Sequence, residues 1–201
     1  TAAHQMWDMA EEAKALVKSL IRTHDMPLTF HQGVATACWH DADLQSTLRS
    51  AEKLERDYGY SDLERLDQQA IGAVIGSQVF KGGVIDRGAG HVHPLNFSLG
   101  LAKAAMAAGA RLFERSEVVK IVQGPKAVVH TAQGQVRTGQ VILACNGYLG
   151  GLDPKLAARV MPINNFIVAT EPLGAAAADI LSQNIAVADT KFVVNYWRLS
   201  E

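Results

Sequence analysis

Several absences narrow the field before any motif is read. Only two of the 201 residues are cysteine. One disulfide is arithmetically possible, but there is no CxxC and no cluster of metal-ligand types around either residue. Cys38 and Cys145 therefore read as two reduced, packed thiols, which suits a cytoplasmic protein. Charge of one sign is also missing. Nineteen Lys and Arg against twenty Asp and Glu give a net charge of −1, which removes the basic excess of a non-specific nucleic-acid binder. No apolar run approaches the ~18 residues of a membrane span. The chain opens without Met, and His4, Asp8, Glu11 and Glu12 interrupt any signal-peptide-like stretch.

What is present is globular. Apolar residues make up 48% and charged residues 19%, and a chain of this length can bury roughly 70% of its unfolded surface. Met6, Met9, Ala10, Ala13, Leu16, Val17, Leu20 and Ile21 recur at helical spacing, so an amphipathic helix should run to about Asp25-Met26, where Pro27 disfavours its continuation. Leu28 to Cys38 alternates weakly and reads as a strand or hairpin arm. Asp41 or Asp43 can cap a second helix with Leu44, Leu48, Ala51, Leu54 and Tyr58 inward, stopped by Gly59. Asp67 caps a short helix over 68–75. Val79 to Asp86 reads as extended, with a kink at Gly82-Gly83. Pro94 suits the first position of a helix that ends at Gly109.

Beyond Gly109 the period changes. Short strands are expected at 111–113, 117–122, 127–131 and 135–137, forming a β-meander. Val141-Ile142-Leu143-Ala144 is a continuous apolar run, expected as a strand covered on both faces. The small, flexible stretch from Cys145 to Gly151 follows it. Asp153-Pro154 opens a short helix, strands are expected at 163–170 and 192–199, and an Ala-rich helical segment is expected near 175–181. A chain that stops directly after a strand reads as a fragment.

Three stretches carry a likeness to a known family. They are Gly83-Val84-Ile85-Asp86 through His93-Pro94-Leu95-Asn96, then Ser116-Glu117-Val118-Val119-Lys120-Ile121, then Val141 through Gly147. Their order resembles the middle of two-domain flavoproteins of the D-amino-acid oxidase superfamily. The run Met161 to Gly174, with Ala144-Cys145-Asn146-Gly147-Tyr148-Leu149, is most similar to the γ-glutamylputrescine oxidoreductases among them. The resemblance implies an incomplete two-domain α+β flavoprotein, with an α/β FAD-binding part carrying the β-meander and a mixed-sheet substrate part. It assigns 1–25 and 90–158 to the FAD-binding part and 26–85 and 160–201 to the substrate part. It implies oxidation of a C–N bond in a small-molecule amine, with hydride passing to FAD and dioxygen or another acceptor taking the electrons. Glycine, sarcosine or D-amino-acid oxidation remains open, as does a non-catalytic subunit. No GxGxxG is present. Gly88-Ala89-Gly90 has His93 in the third glycine position and is rejected as a dinucleotide fingerprint. The resemblance therefore implies that this stretch alone would not hold FAD tightly or turn over.

The same likeness nominates site residues. Val118 would meet the adenine edge through its backbone N–H and C=O, the alternative being an ordinary strand position. Ala144, Cys145 and Gly147 would line the ribityl–pyrophosphate path, where small residues at a strand's carboxyl end let backbone approach a ligand; a plain turn is the alternative. Asn195 and Tyr196 would face an amine substrate, against simple sheet packing. A lone arginine, Arg198, is available for a substrate carboxylate only if it points into the pocket. His91 and His93 lack further ligands at metal spacing and read as a loop histidine and a helix cap. No metal is expected and no catalytic base is nominated.

Overall fold

The computed structural model describes residues 1–200. In chain order its elements are α1 (Ala2–Thr23), β1 (His31–Cys38), α2 (Asp41–Tyr58), β2 (Leu63–Asp67), α3 (Gln68–Ile75), β3 (Gly82–His91) and α4 (Pro94–Ala107). They continue with β4 (Val118–Val122), β5 (Ala127–Thr131), β6 (Gln135–Thr138), α5 (Pro154–Ala157), α6 (Ala177–Ile180), β7 (Ala186–Asp189) and β8 (Tyr196–Trp197). The chain divides into two compact units, residues 1–110 with 171–201 and residues 111–170.

In the first unit a mixed five-stranded sheet runs in the order β2-β3-β1-β7-β8. β1 pairs antiparallel with β3 and parallel with β7, and β8 turns back antiparallel on β7. The core gathers Ala35, Ala37 and Ile85 of the sheet, Ile71, Val74 and Ile75 of α3, and Leu181, Ile185 and Val187. Ile71, Ile85, Ile185 and Val187 are the largest side chains wholly out of solvent; burying each contributes about 1.5–3 kcal/mol. Trp39, Phe80 and Trp197 close one side, with the Phe80 ring centroid 4.8 Å from Trp39 and 6.1 Å from Trp197.

Most helix signals are where the sequence puts them; α2 differs, its N-cap being His40, whose N–H donates at 3.3 Å to Asp43 Oδ2 within the helix. The Asp67 carboxylate accepts from the Ala70 N–H at 2.8 Å, and His93 Nδ1 accepts from the Asn96 N–H with Pro94 in the first turn. Gly59 ends α2 at φ +65°, the left-handed conformation that favours glycine there. α1 stops at Thr23, slightly before the expected point, because Asp25 takes φ +45° and the buried Met26 turns inward beneath α4. A side chain at Gly100 would come within 2.6 Å of the Met26 sulfur. The apolar stripes of α1 and α4 are not buried in this unit: Met6, Met9, Leu16, Leu95, Leu99 and Met106 are all exposed.

One expectation here is corrected. β3 does not kink and stop near Asp86 but runs to His91, paired with β2 at Asp86 and with β1 at Gly90 and His91. His91 is thus a strand residue, its ring stacked on His31 at 5.2 Å. Pairing on both sides overrides the poor strand preference of Gly82 and Gly83.

The second unit holds the expected meander as a three-stranded antiparallel sheet, β4-β5-β6. The strand expected at 111–113 does not form. The strand expected at 141–144 does not form either, and Ile142 is 89% exposed. The stretch 163–170 is likewise irregular, with Phe166, Ile167 and Val168 exposed. Apolar character encodes burial, but a strand also needs a neighbour for its N–H and C=O groups, and the sheet of this unit ends at β4 and β6. Of the strand expected over 192–199, only Tyr196–Trp197 pairs; the residues before it form a turn.

Candidate functional site

Two places hold the residues nominated from sequence, one in each unit. In the second unit, Val118 opens β4 opposite Thr131, and a bulge follows between Val118 and Lys120. β4 is an edge strand, so its outward peptide groups have no strand partner among the described residues. Val118 is half-buried and Val119 is exposed. The Val118 position therefore combines partial apolar cover with an open backbone edge.

The stretch after Ala144 turns sharply. The Tyr148 N–H donates to the Cys145 carbonyl at 2.9 Å, and Asn146 takes φ +48°. Leu149 is buried and anchors the turn, while Tyr148 points into solvent. A Cβ placed on Gly147 would meet nothing nearer than Pro162 Cβ, 3.8 Å away. Cys145 is a free, half-buried thiol. Beside this turn lies an open cleft of about 660 Å³, with Ile121 and Gln123 contributed by the end of β4 and the following turn, Val141 and Leu143 by the stretch leading into Ala144, and Asp153 and Lys155 by the start of α5. The strand that begins at Val118 and the run that ends at Ala144 thus share one cleft. Val118, Ala144, Cys145 and Gly147 themselves stand outside its lining. Asp153 caps α5 by accepting from the Lys155 and Leu156 N–H groups at 3.0 Å.

In the first unit, Asn195 and Tyr196 lie at the β7–β8 turn. Tyr196 is 71% exposed, whereas Trp197 packs on the core, so alternation along β8 sends Tyr196 away from the core. Asn195 is engaged: its Nδ2 donates to Asp189 Oδ2 at 2.6 Å and its backbone N–H to Asp189 Oδ1 at 3.0 Å. The indole of Trp39 donates to the same carboxylate at 2.8 Å. Burial alone would push the Asp189 carboxyl up, but the hydrogen bonds from Asn195, Trp39 and Lys191 hold it below its ordinary value. Arg198 donates to the Leu199 carbonyl at 3.2 Å.

Sequence reasoning missed Asp189. A lone acidic residue after a short apolar strand carries no signal by itself; its partners Trp39 and Asn195 are distant or unremarkable in sequence. It also missed the pair formed by the Tyr60 hydroxyl, which donates to Asp86 Oδ1. That oxygen also accepts from the Gly88 and Ala89 N–H groups at 2.9 Å. Burial, then the bond to Asp86, raises the Tyr60 phenol well above its ordinary value.

A family model described as FAD dependent oxidoreductase (DAO) matches residues 1–201. The chain belongs to this family. Its members use FAD, as the description states. The chain is 36% identical to a probable oxidoreductase, OrdL, of Rhizobium meliloti, covering 99% of this chain and 46% of that protein. It is 34% identical to the γ-glutamylputrescine oxidoreductase of Escherichia coli, covering 98% of this chain and 47% of that protein. The chain spans about half the length of the curated relatives it matches. Among solved structures, L-proline dehydrogenase from P. horikoshii matches with a TM-score of 0.71 at 16% identity, over 94% of this chain and 51% of that one. That likeness bears on the fold alone, a mixed α+β arrangement. No helix among the described residues is long and apolar enough to cross a membrane.

Proposed function

We propose that this chain forms part of an FAD-dependent amine oxidoreductase whose substrate is γ-glutamylputrescine or a closely similar N-substituted amine. The observation that carries the reading is the family match over 1–201, and the named relative from Escherichia coli supports its substrate. In this reading 1–25 and 90–158 belong to the FAD-binding part and 26–85 and 160–201 to the substrate part. A cytoplasmic location is part of the proposal, supported by the two free thiols.

The residues present fit an adenine nucleotide. An extended backbone edge offers a donor and an acceptor spaced for an aminopyrimidine, and Val118 lies on the edge strand β4. The turn after Ala144 has the small residues and open space that close backbone approach needs, with nothing within 3.8 Å of a Cβ at Gly147. Val118 would hold the adenine, and Ala144, Cys145 and Gly147 would flank the ribityl–pyrophosphate portion. When bound, FAD supplies the hydride acceptor for oxidation of the C–N bond. Tyr196 would contact the amine from the substrate side, with Asn195 behind it. Dioxygen or another acceptor would take the electrons onward.

The test is the absorption spectrum of the purified native polypeptide that carries this chain. Flavin bands bleached anaerobically by γ-glutamylputrescine, and not by glycine, sarcosine or D-amino acids, are expected. Bleaching by glycine, sarcosine or a D-amino acid instead would overturn the substrate; a spectrum without flavin bands, after incubation with FAD, would overturn the activity.

A further inference from the structure

Asp189 is the one buried charged side chain among the described residues, 5% exposed at the end of β7. Both of its oxygens are used on the turn from Thr190 to Asn195 and on Trp39. Oδ1 accepts from the Lys191 and Asn195 N–H groups at 3.2 and 3.0 Å. Oδ2 accepts from Trp39 Nε1 and Asn195 Nδ2 at 2.8 and 2.6 Å. The Asp189 N–H returns to the Asn195 carbonyl at 3.1 Å. Thr190 adds a second tie, accepting from the Trp39 N–H at 3.1 Å and donating to Asp43 at 2.9 Å. Lys191 lays its ammonium 3.9 Å from the Trp39 ring centroid. With its polar groups drawn inward, the turn offers Phe192, Val193 and Tyr196 to solvent, 104%, 78% and 71% exposed.

We propose that Asp189 is a positioning residue for substrate: it sets the turn so that an uncharged aromatic surface, Phe192 and Tyr196, meets the amine, while Lys191 is kept away on Trp39. This rests on the reading of Tyr196 as a substrate contact. The chemistry is selective. An ammonium is attracted to an aromatic face and repelled by a neighbouring lysine, so freeing Lys191 and loosening the aromatic pair both weaken binding of a cationic amine. A carboxylate is required at 189 because its partners, two backbone N–H groups and two side-chain N–H groups, are all donors, and bonds from donors to a charged acceptor are the stronger kind. An amide there would set an N–H₂ group against the indole or the Asn195 amide.

The test uses the native flavin-loaded polypeptide with γ-glutamylputrescine as the probe. Asp189→Asn is expected to raise KM roughly tenfold or more with kcat within about threefold, the pattern of lost binding rather than lost chemistry. Amide hydrogen exchange should quicken at Lys191 and Asn195 and not in β1 or β3. Trp39→Phe removes the indole donor while keeping a ring, and should move both readouts the same way by less; it decides the matter if Asp189→Asn does not fold. Faster exchange in the turn with KM unmoved, or unchanged exchange, overturns the positioning role. Tyr196→Ala separates the two readings. If it raises KM while Asp189→Asn and Trp39→Phe do not, the contact stands and the positioning role falls. If it is silent, the Tyr196 contact falls, and the positioning role that rests on it falls too.

Discussion

Gly76 and Gly59 form a matched pair for testing how the segment 171–201 packs. Both close a helix in the left-handed region, at φ +58° and +65°. Alanine at either site incurs a conformational cost of about 1 kcal/mol and recovers a few tenths through the unfolded chain. These contributions are common to both and cancel in the difference. Their surroundings differ. A Cβ on Gly59 meets nothing within 4 Å, whereas one on Gly76 overlaps the Asp179 carbonyl oxygen, with its carbon 2.9 Å and Ile180 Cα 3.4 Å away. These are backbone atoms, and the Ser182 N–H bond to the Val74 carbonyl at 2.9 Å ties the same segment to the end of α3. Relief therefore requires a main-chain shift, and overpacking of this kind costs about 1–3 kcal/mol. Gly76→Ala should lose roughly 2 kcal/mol more than Gly59→Ala, which at this chain length is a Tm lower by about 4–8 °C. Thermal unfolding followed by tryptophan fluorescence reads the difference. Equal melting temperatures for the two variants would refute the packing of 171–201 on α3.

Two further outcomes follow from individual groups. Tyr60 should ionise only above the ordinary phenol range: its native pKa is raised, so its stabilising bond to Asp86 is intact below the ordinary value of about 10 and is lost only as pH rises beyond it. A phenolate absorbance titration should show this late step, and Tyr60→Phe should remove it; a late step that survives Tyr60→Phe, or no late step in the wild type, would contradict it. Of the two free thiols, Cys145 is half-buried while Cys38 is fully buried with its pKa raised by burial. Under native conditions a thiol reagent should label Cys145 first, and faster labelling of Cys38 would contradict the placement of β1.

How far the sequence could be read depended on whether the signal was local. Helix caps at Asp67 and His93, the stop at Gly59 and the turns of the meander are set by a few neighbouring residues, and all are in place. The apolar run Val141–Ala144 reads as a covered strand, yet it is neither paired nor buried, because a strand is completed by its neighbours. β3 showed the reverse: Gly82 and Gly83 argued for a kink, and pairing on both edges overrode it. At the candidate site, the small-residue turn at Ala144–Gly147 follows from local pattern, whereas Val118 stands out through the family resemblance and its edge position only through the folded sheet. Asp189 does not, since its meaning lies in contacts with Trp39 and Asn195 that only the folded chain assembles.

The turn at Gly147 is where a cofactor contact can be tested most directly. Gly147→Val has room in the protein alone, with only Pro162 nearby, so the variant should fold and melt as the wild type does. Titration of the native polypeptide with FAD is expected to show affinity reduced at least tenfold, as the new side chain fills space the nucleotide requires. Undiminished FAD affinity in a well-folded Gly147→Val protein would contradict that contact.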